Sequence, residues 1–377
     1  MKKIIFMMFI LVFVFALNVA AQEVTTENIG VVLNNNTNCI QLINPTTQEI
    51  SEPLLKGELG SYGGGLYDVD ITPDGKTAIL SNFGDSSLIF VDISGGFSAT
   101  PTLLGAVSVG FFAEDIAITP DGKYALVTDG GFSPIIAVVD IATRTLVRTR
   151  TLPDECQAVS ISPDGQTVVT VGYFSQTVSS YAFSEGAFSL TKTEFVAPLR
   201  PVNVAISPDG KTAMAVGSNG YYFAAFYIDK GVLYYVGPVK GLAKGAQTCV
   251  FSKDGTKAYI LNNFGINPGL GKGRLSRLEE NGTKVQVLDV TGPGQITPSD
   301  VIHLSIPRGS SQLFGVDTMA IDPSGQYLYV TNPTVSDGVV EITVIDLTTN
   351  TEVNQIKANG IPTGIAFGTM DHPPVLD

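Results

Sequence analysis

The sequence predicts an all-β chain, a seven-bladed β-propeller of four-stranded antiparallel blades whose ring is closed by one blade shared between the two ends. Three observations predict it. A Pro-Asp-Gly phrase recurs: ITPDG ends at Gly75 and again at Gly122, ISPDG at Gly165 and Gly210, FSKDG at Gly255 and IDPSG at Gly325. The first five of these glycines are 47, 43, 45 and 45 residues apart, a period in the range of four-stranded blades. The third observation is that the two ends of the chain carry complementary fragments of one further repeat.

Each repeat begins with an apolar strand such as DIAI (115–118), followed by the turn. Pro presets φ for the first turn position, Asp tolerates the second, and Gly supplies the positive φ that closes the hairpin. A second strand such as YALVT (124–128) follows, then a third such as SLIFVDI, IIAVVDI or EITVIDL, then a fourth such as RTLVRT or TEVNQI. Asp92, Asp140 and Asp346 stand where the third strand turns into the fourth, the usual place for an Asx turn. Six turns make six blades. PTGIAFG (362–368) repeats a first strand without its turn, and NIGVVLNNNTNCIQLINPTTQEI (28–50) supplies the other three strands, with Asn44 in the Asp92 column. Joining them removes the open sheet edges that invite aggregation.

Lys2 and Lys3 precede an apolar run from Ile4 to Leu17 and the small residues Val19, Ala20 and Ala21, which reads as a cleaved secretory signal over residues 1–21. The single propeller domain is then expected over 22–377, in an exported protein that is periplasmic, cell-surface or secreted. Without Lys2 and Lys3 the chain has 20 basic against 35 acidic residues, a net charge of −15, which argues against nucleic acid and anionic membrane surfaces as partners. Cys39, Cys156 and Cys249 form no C-x-x-C, and His303 and His372 are the only histidines, so a Cys-His pair, a zinc cluster and a c-type haem all lack ingredients. Asp154 and Glu155 beside Cys156 oppose a reactive thiolate.

Residues 329–332 read Tyr-Val-Thr-Asn, and with AIDPSGQYLYVTN ahead of EITVIDLTTNTEV the chain resembles the YVTN family of β-propeller repeats, found in surface-layer and lactonase-like proteins. The resemblance covers nearly the whole chain after residue 21. It implies the fold and leaves the activity open, since such propellers host many functions. The absence of Trp sets aside WD-repeat and tryptophan-docked quinoprotein alcohol dehydrogenase blades.

Antiparallel geometry puts the Pro-Asp-Gly turns on one face of the disc and the loops between second and third strands on the other. Functional residues concentrate on variable loops over a rigid frame, so the second face is the expected site. Its loops begin at or near Asn82, Asp129, Asn263 and Asn332, and the innermost strands enter there through Asp68, Asp115 and Asn203, with Glu114 and Arg200 close by. All of these but Glu114 form the expected ligand-binding set, and Glu114 and Asp115 are the catalytic candidates. Asp68, Asp115 and Asn203 are also the expected ligands of a cation such as Ca2+, which takes six to eight oxygens, in loose similarity to the channel mouth of gluconolactonase-like propellers. Asn and Asp are equally ordinary turn formers at such places. An insertion, INPGLGKGRLSRLEENGTK (266–284), falls in the sixth blade and carries Lys272, Arg274, Arg277 and Lys284; its glycines lack the spacing of a phosphate loop.

Three functions fit these observations. The first is a binding or scaffolding propeller presenting the variable face to a protein, glycan or small ligand. The second is a cation-dependent hydrolase of lactones or related esters, with Glu114 or Asp115 positioning water. The third is a quinoprotein-like electron-transfer subunit whose cofactor comes from a partner chain.

Overall fold

The computed structural model describes residues 25–60, 65–217, 222–241, 245–262, 284–305, 318–331 and 341–372. They form seven separate four-stranded antiparallel sheets and no helix: a seven-bladed β-propeller. Accordingly, among these residues no helix is long and apolar enough to cross a membrane.

Blade one combines β28 (Pro362–His372) with β1 (Thr25–Asn34), β2 (Cys39–Asn44) and β3 (Glu49–Ile50), in that order. Strands β1 and β28 pair from Thr25↔His372 to Asn34↔Pro362, as the complementary end fragments require. Blades two to seven follow in chain order, each starting with its innermost strand: β4 (Leu66–Ile71), β8 (Ala113–Ile118), β12 (Ala158–Ile161), β16 (Pro201–Ile206), β20 (Ala246–Phe251) and β24 (Met319–Ile321). Apolar residues interleave between adjacent blades, so the core is seven wedge-shaped clusters and not one central mass.

The repeated phrase builds one turn many times. Gly75, Gly122, Gly165, Gly210 and Gly255 have φ between +69° and +72°, a region that costs glycine nothing. In the first five turns the Thr or Ser two residues ahead of the turn Asp bonds to it through its hydroxyl, as Thr119 does to Asp121 at 2.6 Å. Each turn also touches the next: Pro73 lies against Gly122, Pro120 against Gly165, Pro163 against Gly210 and Pro208 against Gly255. At the seam Gly75 lies against Thr369 and Met370 of β28. The Asx turns form as expected, Asp92, Asp140 and Asp346 each accepting a backbone N–H two or three residues on, at 2.8, 2.8 and 2.7 Å, and Asn44 doing the same at 3.0 Å. Cys39, Cys156 and Cys249 are buried free thiols, and burial pushes the Cys156 thiol well above its ordinary range. The 266–283 part of the insertion lies outside the described residues, as do Asn263 and Asn332.

Candidate functional site

The innermost strands do not alternate cleanly where they enter from the variable face. In blade two Leu66 pairs with Asn82 and Val69 with Leu80; in blade three Ala113 pairs with Asp129 and Ile116 with Val127. Three residues of the inner strand thus span two of its neighbour, a β-bulge at Tyr67–Asp68 and at Glu114–Asp115, and such bulges re-aim side chains. The N–H groups that the bulges remove from the ladder are recovered: Asp68 donates to the Ser81 hydroxyl at 2.9 Å and Asp115 to that of Thr128 at 3.2 Å. In blade four Gln157 donates its N–H to Val171, which is also the partner of Ala158.

The bulges separate two columns of residues. The first is Asp68, Asp115 and Asn203, which reach sideways to the next blade. Asp68 Oδ2 accepts the N–H of Ile116 at 3.0 Å, Asp115 Oδ2 that of Val159 at 2.7 Å, and Asn203 Oδ1 that of Cys249 at 3.2 Å. Asn203 Oδ1 accepts from the Cys249 thiol as well, at 3.4 Å. Further down the channel Asp70 repeats the bond to Ile118 at 3.0 Å. These acceptors fasten blade to blade through Oδ2 of Asp68 and Asp115 and Oδ1 of Asn203. Among the described residues no three His, Cys, Asp or Glu side chains gather as a metal group would need. Asp115 and Asn203 instead border a central cavity of about 330 Å³ with Asp70 and Cys249.

A test follows for this column. Asp115→Ala leaves the Val159 N–H buried without its acceptor and is expected to cost about 1–3 kcal/mol in denaturant unfolding, with or without a chelator present, whereas Asp115→Asn retains an acceptor and loses less. A loss seen only in the presence of Ca2+ would restore the cation reading.

The second column, one residue earlier, is Tyr67, Glu114 and Gln157, and here the chemistry collects. Glu114 Oε2 accepts from Gln157 Nε2 at 2.6 Å, and both side chains are buried. Burial pushes the Glu114 carboxyl up to about 8; the Gln157 bond opposes the rise and the charge of Asp129 adds to it. Tyr67 is raised too, by burial and then by Glu114, and so stays a neutral O–H donor. Beside Glu114 runs an aromatic stack, Tyr67 on Phe83 at 4.9 Å and Phe83 on Phe112 at 4.6 Å between ring centroids. A methyl at Gly130 would meet Glu114 Oε2 at 2.5 Å and the Phe83 ring at 2.7 Å, so only glycine lets this loop pass over the carboxyl.

The remaining expected residues surround this centre. Asp129 shapes the loop above Glu114, accepting the Gly131 N–H at 2.9 Å and the Ser133 hydroxyl. Asn82 is buried and structural, donating to Leu59 O at 3.0 Å and accepting the Asp85 N–H at 2.9 Å. Arg200, from blade five, holds its guanidinium 5.4 Å from the Tyr173 ring and 6.0 Å from Phe174. Tyr67, Gln157, Phe83 and Phe112 were not expected from the sequence. The available signal was a polar residue just ahead of the Asp68 column in otherwise apolar strands: Glu114, Gln157 and Gln247.

No family model matches the sequence, and no curated protein matches it. Solved structures do. A functionally unknown protein from Desulfotomaculum acetoxidans superposes with a TM-score of 0.74 at 18% identity, over 92% of this chain and 100% of that one. A candidate 6-phosphogluconolactonase from Bacteroides fragilis gives 0.67 at 20% identity, covering 90% and 98%. The periplasmic gluconolactonase of Pseudomonas aeruginosa gives 0.67 at 16% identity, covering 91% and 99%. At these identities the likeness shows the fold alone.

Proposed function

We infer that this is an exported propeller of the YVTN type that hydrolyses a sugar-derived lactone on its variable face, with Glu114 as general base. One observation carries the reading: a buried carboxyl whose pKa is raised to about 8, held by an amide and flanked by an aromatic wall at the mouth of the channel. A general base is most effective with a pKa near the working pH, and burial brings Glu114 there. The two neighbours named as lactonases, one of them periplasmic, support the substrate class and the location.

In this reading a lactone lies with the C–H face of its ring on Phe112, the exposed outer ring of the stack. Glu114 in its ionised form takes a proton from the water that attacks the carbonyl carbon, while Gln157 fixes the carboxylate. The Tyr67 hydroxyl donates to the carbonyl oxygen as it gains charge. Collapse breaks the ring C–O bond, and the proton on Glu114 passes to the departing ring oxygen, leaving a hydroxy acid. Asp115 keeps its place in the inter-blade contact and has no part in the reaction.

The test is hydrolysis of glucono-δ-lactone followed with a pH indicator above the spontaneous rate. Glu114→Gln, nearly isosteric, is expected to lower kcat by about 10²–10⁴-fold, the usual contribution of a general base. Equal rates for the two proteins would end the hydrolase reading and return the binding propeller to first place.

A further inference from the structure

A second group of aromatic residues lies next to the Glu114 centre and has no part in the chemistry above. Phe132 sits 5.9 Å from Tyr173 and 5.0 Å from Phe174, and Arg200 caps the group from blade five. Phe112, Phe132 and Phe174 are 48%, 40% and 59% exposed. The two groups are joined, since Gly131 lies against the edge of Phe112, where a methyl would come within 3.2 Å. An aromatic path therefore leads from Glu114 in blade three across to blade four.

Phe132 is held there against its own preference. Its φ is +61°, the left-handed region that a bulky side chain rarely adopts. In neighbouring blades the left-handed residue of the same loop is Asn38, Ser86 or Gln176, all polar. Strain of this kind persists where a side chain is needed for function. Three half-exposed rings amount to on the order of 300 Å² of surface, well below the roughly 800 Å² per partner of a stable protein interface. That area suits a small planar face. Arg200, with no ion-pair partner among the described residues, adds N–H donors at its rim.

We propose that Phe132, Phe174 and Arg200 form a second sugar subsite, so that the protein takes a lactone at the end of an oligosaccharide in preference to a single-ring lactone. The first ring lies at Glu114, and the next ring stacks on Phe132 and Phe174 with its hydroxyls toward Arg200. The inference rests on the lactone reading only for which ring reacts.

Calorimetric titration of the purified protein with gluconate, an open-chain aldonate, and with maltobionate, the same acid carrying one glucose ring, tests it. Maltobionate is expected to bind about tenfold more tightly, the scale of one or two aromatic contacts. Phe174→Ala and Phe132→Gly should each abolish that preference and leave gluconate affinity unchanged. Phe132→Gly should also melt at a higher temperature than the wild type, which loss of a purely structural residue would not produce. Equal affinities, no binding of either sugar, or a preference that survives both substitutions would overturn the subsite. Hydrolysis assayed on the same preparations separates the two readings: gluconolactone turnover without preference for maltobionate removes the subsite and keeps the Glu114 mechanism. Preference for maltobionate without turnover does the reverse.

Discussion

At pH 9 the Glu114→Gln protein is expected to be more stable than the wild type, and at pH 5 the two should differ little. The folded carboxyl titrates at about 8 against an ordinary 4.5, because burial penalises the ionised form. The folded state therefore keeps a proton that the unfolded chain releases. The stability this provides is fully present below pH 4.5 and is lost as pH rises through 8, with a slope of up to about 1.4 kcal/mol per pH unit. Across the whole window the loss is roughly 4 to 5 kcal/mol, a large part of the about 5–15 kcal/mol that holds a typical domain folded. Glutamine retains a neutral group beside Gln157 and does not titrate. Denaturant midpoints measured from pH 5 to 9 should fall for the wild type and stay level for the variant. The same group should set the rate: kcat/KM for lactone hydrolysis should rise about tenfold per pH unit and level off near 8. Parallel stability curves for the two proteins would mean that the Glu114 carboxyl is not raised in the folded state, and the observation that carries the proposed base would be lost.

The parts of this molecule that repeat are the parts legible in its sequence. Pro-Asp-Gly is a local solution to a local problem, so Gly122 with φ +69° and the Asp140 turn are fully specified by a few adjacent residues. The shared blade was legible for the same reason, as 28–50 and 362–368 each match a fragment of the repeat. The bulges were not. Adding one residue at Glu114–Asp115 shifts which side chain reaches the neighbouring blade and which reaches the site, and period-two alternation gives no sign of it. Hence the sequence shows Asp68, Asp115 and Asn203 as one column but not that each bonds to the next blade, and Gln157, whose amide holds Glu114, looks ordinary there. The Tyr67–Phe83–Phe112 wall draws on one strand and two loops of adjacent blades, a tertiary coincidence that no window of sequence contains.

A chain ending at Gly360 is expected not to fold to a stable monomer. It lacks β28, the innermost strand of blade one, whose backbone pairs with β1 from Thr25↔His372 to Asn34↔Pro362. Ile365 and Met370 lose nearly complete burial, worth about 1.5–3 kcal/mol each, and the tilted contact of Phe367 with the Tyr329 ring at 4.7 Å goes with them. The loss does not stop at the missing atoms. Val31, Leu33 and Ile71 are packed around the same strand and become accessible, and the Gly75 turn loses its neighbour at Thr369 and Met370. Several such terms together exceed the net stability of an ordinary domain. The exposed edge of β1 then offers unpaired backbone groups to another chain, so the truncated protein should aggregate and should elute ahead of the full-length protein in size-exclusion chromatography. Supplying residues 361–372 as a separate peptide should restore solubility by pairing with β1, whereas a scrambled peptide of the same composition should not. A soluble, monomeric truncation with the wild-type melting temperature would mean that blade one closes without β28, and the seam would have to be placed elsewhere in the ring.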